Sequence, residues 1–207
     1  MACGTDYESK LWESGFRLIA GADEVGRGAL AGPVVAAAVI LNPVDIPEGL
    51  DDSKRLTRAQ REALAPEIMG RAVSYAVARI EPEEIDRINI FRASLRAMDI
   101  AVKALRPPAD YVLIDGCHRV PTLSCPQMAI VKGDSISASI AAASIIAKVA
   151  RDRWMEEYDR QYPGYGFATH VGYATRTHRE AILRLGPSAI HRMTFHGVLP
   201  IQAAFDY

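Results

Sequence analysis

The chain is poor in cysteine, has no long apolar run and carries almost no net charge. Only three of its 207 residues are cysteines, Cys3, Cys117 and Cys125, and no two of them have the CxxC spacing. An odd number without paired spacing argues against a disulfide framework and against a zinc cluster. No apolar stretch approaches the roughly 20 residues of a membrane-spanning helix, and the opening residues MACGTDYESK lack the pattern of a signal peptide. We therefore expect a reduced, cytoplasmic protein that does not contact a membrane.

The net charge of −1 is unevenly distributed along the chain. Residues 164–200 contain a single acid, Glu180, beside four of the five histidines and four arginines, Arg176, Arg179, Arg184 and Arg192. The histidine spacings match no zinc-finger or HExxH pattern, which disfavours a zinc site. Composition alone favours a solvated helical face here. Any contact with nucleic acid would have to come from such a local basic patch.

Apolar patterning predicts an α/β fold, a mixed sheet with helices packed on it. The first three strands suit an antiparallel meander, whereas helical connections suit parallel pairing of the later ones. Pro66 is expected to bend or shorten the helix capped by Thr57. The segment from residue 161 to 207 is predicted to be a small helical extension of a domain formed by residues 1–160. The predicted strands are 17–23, 33–41, 74–80, 111–115 and 128–133, and the other predicted helices are 6–14, 90–105, 135 to about 158 and 175–185.

The stretch GADEVGRGALAGPV, residues 21–34, places two adjacent acids before a run of glycines. A dinucleotide-binding loop would lead into a helix whose N-terminus faces the pyrophosphate. Here the glycines lead into Pro33 and an apolar, β-branched strand, and Asp23 and Glu24 would repel a phosphate at close range. The structural alternative is a strand–turn–strand hairpin in which Arg27 pairs with Glu24.

Two further acids lie where a strand or helix meets a loop. Asp115 ends the apolar strand YVLID, and Asp134 stands in KGDS before the long helix. Each has a structural alternative, since Asp115 suits a turn and Asp134 suits a helix N-cap. The ends of such elements can nevertheless converge on one edge of a sheet. Clustered carboxylates are stable as anions beside hard cations such as Mg²⁺ or Mn²⁺, and two such ions would support hydrolysis at phosphorus.

The sequence resembles the type 2 ribonucleases H, and the bacterial ribonucleases HII most closely. The matching stretches run from residue 19 to 195, nearly the whole chain. They are IAGADEVGRGALAGPVVAAAVIL, DDSKRLT, EEIDRINIFRASLRAM, YVLIDG, KGDSISASIAAASIIAKVARDRWM and YGFATHVGYATRTHREAILRLGPSAIHRMTF. The combination of DEVGRG with KGDS, RD and GYAT followed by histidine is highly specific for this family.

The resemblance implies a ribonuclease H-like five-stranded mixed sheet with a C-terminal helical extension. It also implies an endoribonuclease that cuts the RNA strand of RNA/DNA hybrids and cuts 5′ of single ribonucleotides embedded in DNA, leaving 3′-hydroxyl and 5′-phosphate ends. Such an activity belongs to DNA replication and ribonucleotide excision repair. The catalytic, metal-binding acids it implies are Asp23, Glu24, Asp115 and Asp134, with two Mg²⁺ or Mn²⁺ ions when substrate is bound.

The resemblance also assigns residues to the substrate. Gly26, Arg27 and Gly28 become the loop that senses the ribose 2′-hydroxyl, and Tyr173 becomes the aromatic that packs on the sugar at the RNA–DNA junction. Less specific backbone or support contacts are expected from Lys54, Ser137, Ser139 and Lys148. Many members carry Lys where this chain has Val171, which puts a phosphate contact and its salt dependence in question.

Two rival functions differ in the residues they require. Another two-metal nuclease of this fold, such as a junction resolvase, would ignore the 2′-hydroxyl, and a noncatalytic hybrid-binding module would lack one or more acids. The complete set of acids and the Gly-Arg-Gly loop with Tyr173 argue against both. A monomer is the expected state. The tail GVLPIQAAFDY is loosely similar to a sliding-clamp peptide, although its spacing fits poorly and a packing tail is the favoured interpretation.

Overall fold

The computed structural model describes residues 3–199, in which a five-stranded sheet is covered by helices on both faces. The strands are β1 (Ile19–Val25), β2 (Val34–Ile40), β3 (Ser74–Ile80), β4 (Tyr111–Asp115) and β5 (Gln127–Ile130). The helices are α1 (Asp6–Glu13), α2 (Arg58–Arg71), α3 (Pro82–Ile88), α4 (Ile90–Ala104), α5 (Ala138–Gln161), α6 (Phe167–His170) and α7 (Arg176–Leu185), and a 3₁₀ turn occupies Gly133–Ser135.

The strand order is β3-β2-β1-β4-β5, and the pairing confirms the predicted mixed sheet. β1 pairs antiparallel with β2, and β2 pairs antiparallel with β3, which forms the meander. β4 is parallel to β1 and to β5. The change from antiparallel to parallel pairing therefore occurs at β1, the strand that carries Asp23 and Glu24.

Two apolar layers flank the sheet. On one face α4 packs on β1, β2 and β3 through side chains such as Ala97 and Met98. On the other face the alanine-rich start of α5 packs on β2 beside α2. The approach of α5 to β1 is so close that a Cβ added at Gly21 would lie 2.1 Å from the main-chain carbon of Ser139. The identity of Gly21 thus sets the distance between α5 and the sheet.

Three helical predictions need correction. Pro66 does not shorten α2, which continues to Arg71 and begins with a complete capping box between Thr57 and Gln60. The short helix α3 was missed by the sequence pattern. The long helix begins at Ala138 rather than at residue 135, because Ser137 accepts the Ile140 N–H as its cap. Asp134 therefore lies in the preceding 3₁₀ turn and is not the N-cap of this helix.

The segment after α5 packs through an aromatic cluster. Tyr165, Phe167 and Ile190 contact Met155 of α5 and Ala31 of the loop between β1 and β2. The predicted division at residue 160 stays a prediction. Residues 200–207, including the Gln202, Phe205 and Tyr207 of the clamp-like tail, lie outside the described residues. Between residues 3 and 199 no helix is both long and apolar enough to cross a membrane.

Candidate active site

Three carboxylates converge at one edge of the sheet. Asp23 near the end of β1 and Asp115 at the end of β4 lie side by side because these strands are parallel neighbours. The 3₁₀ turn after β5 brings in Asp134. One carboxylate oxygen from each of the three lies within 4.8 Å of the others. Carboxylate oxygens at this separation are a donor set suited to a hard divalent cation.

Glu24 stands on the other side of β1. Successive strand residues point to opposite faces, so Glu24 lies on the face covered by α4, whereas Asp23 and Asp115 lie on the α5 face. Its Oε1 accepts a hydrogen bond of 3.1 Å from Arg27 Nη1. With Arg27, Asp115 and His118 it lines a cleft of about 100 Å³ next to the three acids. The structure thus joins three of the four expected acids in one cluster and places the fourth across the strand.

Burial and mutual repulsion act together on these acids. The pKa of Asp23 is raised well above its usual value by burial and then by Glu24, Asp115 and Asp134. Burial also raises the pKa of Glu24, against the lowering effect of Arg27. For Asp115 burial is again the largest cause of a raised pKa, followed by Asp134. Three negative charges in this cluster are therefore unfavourable, and a bound cation would offset the repulsion between them.

Lys54 supplies positive charge directly to this cluster. Its Nζ donates to Asp134 Oδ2 at 2.7 Å and lies 3.5 Å from Asp52 Oδ1. Burial lowers the pKa of Lys54, but the hydrogen bond to Asp134 and the neighbouring acids outweigh burial and raise it. The geometry therefore gives Lys54 a direct contact with an acid of the site.

The glycine run connects β1 and β2 as the strand–turn–strand hairpin that was the structural alternative for this stretch, and its turn lies beside the acids. Gly26 has φ 91°, and a Cβ there would lie 2.2 Å from Arg151 Nε, so only glycine fits. Arg27 and Gly28 are exposed, and no heavy atom lies within 4 Å of a Cβ built at Gly28. The loop leaves an open surface next to Glu24.

Tyr173 lies against the same loop. It forms an antiparallel bridge with Ala29, and the Leu30 N–H donates to the Gly172 carbonyl at 2.8 Å. The Tyr173 side chain is half-buried, with the Arg151 guanidinium carbon 5.5 Å from its ring centroid. The structure therefore places Tyr173 and the Gly26–Gly28 loop on one continuous surface.

Three other expected contacts lie elsewhere. Ser137 and Ser139 are buried, and both donate to Oε1 of Glu8, from the hydroxyl of Ser137 and the N–H of Ser139. They hold α1 against the start of α5 and present no surface to a ligand. Lys148 forms an ion pair of 2.7 Å with Asp152, one turn later on α5.

The sequence pattern missed the groups that support the Tyr173 segment. His178 Nδ1 lies 2.9 Å from the Tyr173 carbonyl, and His178 Nε2 lies 3.1 Å from His191 Nε2. Because the carbonyl can only accept, His178 donates through Nδ1 and accepts at Nε2 from His191. His191 Nδ1 in turn accepts from the Ser188 N–H at 2.9 Å. Histidine spacing alone gave no signal for this chain of hydrogen bonds.

Comparisons with known proteins identify the family of the chain. A family model described as Ribonuclease HII matches residues 20–198. A ribonuclease HII of Geobacter sulfurreducens is 58% identical over 194 residues, which cover 93% of this chain and 88% of the relative. The crystal structure of ribonuclease H2 from Pyrococcus horikoshii has a TM-score of 0.74 at 27% identity, and the match covers 88% of this chain and 95% of that one.

A second solved structure, the complex of PCNA with ribonuclease HII from Archaeoglobus fulgidus, has a TM-score of 0.72 at 28% identity and covers 86% of this chain and 95% of that one. The family match spans all three converging acids, Glu24, the glycine loop and Tyr173. The chain therefore belongs to the ribonuclease HII family and is a hydrolytic ribonuclease that acts on RNA/DNA hybrids.

Proposed function

We propose that the chain cleaves hybrid RNA and duplex DNA 5′ of an embedded ribonucleotide, with Asp23, Glu24, Asp115 and Asp134 as its catalytic, metal-binding residues. The observation that carries the proposal is the convergence of three carboxylates within 4.8 Å, beside an open glycine loop and Tyr173. The donor set fits two Mg²⁺ or Mn²⁺ ions better than zinc, because it contains only hard oxygen ligands. When bound, such ions supply an activated water and charge stabilisation at phosphorus.

The protein's own groups then have distinct tasks. Asp23, Asp115 and Asp134 hold the cation site on the α5 face, and Glu24 adds a carboxylate from the opposite face of β1. Lys54 orients Asp134 through its 2.7 Å hydrogen bond. In the net reaction a water oxygen bonds to phosphorus and the bond from phosphorus to the preceding 3′-oxygen breaks. The 3′-oxygen takes up a proton, so the products carry a 3′-hydroxyl and a 5′-phosphate.

Substrate selection is assigned to the surface beside the acids. Gly26, Arg27 and Gly28 face the ribose whose 2′-hydroxyl distinguishes RNA from DNA, and Tyr173 packs on the adjoining sugar. Ser137, Ser139 and Lys148 act through the structure of α5 rather than by touching substrate, since both serines are buried and Lys148 is paired with Asp152. The rival functions lose support, because a resolvase does not need the 2′-hydroxyl and a binding module does not need the acids.

The test is an end-group analysis of products. A duplex with one ribonucleotide should be cut on its 5′ side with Mg²⁺ or Mn²⁺, giving a 3′-hydroxyl and a 5′-phosphate. D115N should abolish this cutting while leaving the fold intact. A cut on the 3′ side, or 2′,3′-cyclic phosphate ends, would contradict the proposal. With Y173A, the rate on the single-ribonucleotide duplex should fall more than the rate on a long hybrid, and an unchanged ratio would refute the role of Tyr173.

We further propose a monomer in the cytoplasm, with a weak sliding-clamp contact through the C-terminal tail. The three cysteines are free, which suits a reducing compartment. The archaeal ribonuclease HII found in complex with PCNA supports the clamp contact. Light scattering tests the monomer, and loss of clamp binding in F205A but not in R184M would support the tail contact.

A further inference from the structure

Two buried arginines without a carboxylate partner lie beneath the surface formed by Tyr173 and the Gly26–Gly28 loop. Arg151 and Arg192 are both 0% exposed, and neither forms an ion pair within residues 3–199. Arg151 donates to the carbonyls of Pro33 at 3.0 Å, Val171 at 2.8 Å and Ala31 at 3.2 Å.

Arg192 completes this arrangement from the other side of the loop. It donates to the carbonyls of Gly32 and Arg27, each at 3.0 Å. Its remaining terminal nitrogen, Nη2, is buried and has no hydrogen-bond partner among the described residues. All five hydrogen bonds from the two guanidinium groups therefore go to main-chain carbonyls.

Such an arrangement is expensive in free energy, because a buried charge without a counter-charge is destabilising. Burial and then Arg151 lower the pKa of Arg192 to about 9. If these positions required only apolar packing, a leucine or methionine would be sufficient. What an apolar residue cannot do is hold several carbonyls at fixed points, and a planar guanidinium with its fork of donors can.

The carbonyls that are held belong to the two segments that face the substrate. Four come from residues 27–33, and the fifth comes from Val171, two residues before Tyr173. Main-chain bonds join the same segments, since the Leu30 N–H donates to the Gly172 carbonyl at 2.8 Å. The arginines thus fix the Gly26–Gly28 loop relative to Tyr173.

The bond from Arg192 to the Arg27 carbonyl has a further consequence for the loop. A trans peptide group is planar, and its C=O and N–H point in opposite directions. Because the Arg27 carbonyl points inward to Arg192, the Gly28 N–H of the same peptide points outward. Gly28 is exposed, and its N–H donates to no acceptor within residues 3–199.

We propose that Arg151 and Arg192 are positioning residues for 2′-hydroxyl recognition, and that Arg192 fixes the orientation of the Arg27–Gly28 peptide in the loop. This inference rests on the proposed function, in which the Gly26–Gly28 loop faces the ribose. Neither arginine touches substrate, so their removal should alter selection of the sugar without removing phosphate contacts.

The variants R192M and R192K test this assignment, with R184M as the matched control. Arg184 also donates to a main-chain carbonyl, that of Gly164 at 3.0 Å, but it is exposed and lies outside the loop contacts. Three quantities are measured for each: kcat/KM on a duplex with one ribonucleotide, Kd for an all-DNA duplex of the same sequence, and the ¹⁵N–¹H shift of the Gly28 amide.

For R192M we expect kcat/KM to fall about tenfold or more, as for loss of one charge-assisted hydrogen bond, while Kd for all-DNA changes less than about twofold. R192K keeps the charge but not the fork, so its loss should be intermediate and its Gly28 amide should shift. R184M should match wild type. Equal losses in kcat/KM and in all-DNA binding would show a merely structural role and overturn the proposal.

If R192M does not fold, R192K alone tests the positioning role of Arg192. Wild-type kinetics together with an unshifted Gly28 amide in R192K would also overturn the proposal. Failure of the proposed function looks different, because wild type itself would then cut the all-DNA duplex as fast as the ribonucleotide-containing one. Even in that case the amide shift reports whether Arg192 holds the Arg27–Gly28 peptide.

Discussion

At Asp23, burial and three neighbouring carboxylates act in the same direction on one side chain. All four raise its pKa, so the charged form is disfavoured in the metal-free fold. The folded-state pKa lies above the ordinary 3.8, and the metal-free protein therefore loses stability as pH rises from that value through the folded pKa. At neutral pH the site stores electrostatic repulsion that a cation or a neutral side chain would remove.

Substitution of Asp23 by Asn should therefore separate stability from activity. D23N keeps an oxygen for the Glu24 N–H, a bond of 2.7 Å in the structure, and removes the charge. We expect its free energy of unfolding at pH 7 in chelator to rise by on the order of 1 kcal/mol, with activity lost. D134N is the comparison, since it breaks the pair with Lys54 and should give no such gain. A less stable D23N in chelator would contradict this account.

Val171 adopts a backbone conformation that is unfavourable for its side chain. Its φ is 43°, a left-handed conformation that is strained for a β-branched side chain. V171K would relieve that strain and add a positive charge near Tyr173. We expect tighter binding of hybrid and a steeper decline of affinity with salt, by about one phosphate contact. V171Q relieves the strain without the charge, so an equal salt slope for both variants would exclude a phosphate contact.

The roles of single residues were predictable where strand ends determined them. Asp115 and Asp23 were expected to lie close together because the ends of buried elements can converge on one edge of a sheet, and the parallel pairing of β1 with β4 brings them there. Asp134 was harder, since a helix N-cap also explained its position until the structure showed that Ser137 caps α5. Arg151 and Arg192 gave no signal, because a buried arginine that binds only carbonyls has no characteristic spacing in sequence.

At the scale of elements, the packing of α5 on β1 requires a glycine at position 21. A Cβ at Gly21 would lie 2.1 Å from the Ser139 carbon and 2.3 Å from the Ile140 nitrogen, which are main-chain atoms that cannot rotate away. We expect G21A to cost at least about 3 kcal/mol of stability, measured by urea unfolding. G70A, in the exposed part of α2 with nothing within 4 Å, should instead gain about 0.5–1 kcal/mol. A tolerated G21A would contradict the packing described.

The histidine chain behind Tyr173 makes the C-terminal elements sensitive to acid. Burial lowers the pKa of His178 and of His191 from 6.5 to about 4. Between these values the unfolded state binds more protons than the fold, so stability falls as pH decreases from 6.5 to 4. H191Q should show a shallower dependence of unfolding free energy on pH than H118Q, which replaces an exposed histidine. Equal slopes would contradict the buried, neutral network.

Element boundaries were predicted best where local signals were strong. The cap at Thr57 predicted the start of α2, and the apolar strands were placed within a few residues. The start of α5 was displaced by three residues because the 3₁₀ turn at Gly133–Ser135 has no distinct sequence pattern. Pro66 was expected to bend or shorten α2, but the loss of one main-chain hydrogen bond inside the helix is tolerated when Ala65 and Ile68 pack against the core.

At the scale of the whole molecule, the topology joins chemistry and selection at one sheet edge. The acids come from β1, β4 and the turn after β5, and the sugar-facing loop continues directly from β1. The segment after α5 returns over that loop to deliver Tyr173 and Arg192. Sequence patterns predicted the mixed sheet, but the return of the C-terminal segment depends on long-range main-chain contacts that no local pattern encodes.

The most direct measurement is cleavage of two matched duplexes, one all DNA and one with a single ribonucleotide, in Mg²⁺, in Mn²⁺ and in chelator. The account predicts cutting of the ribonucleotide-containing duplex in either metal, no cutting in chelator, and no cutting of the all-DNA duplex under any condition. Equal cutting of both duplexes, or full activity in chelator, would contradict it.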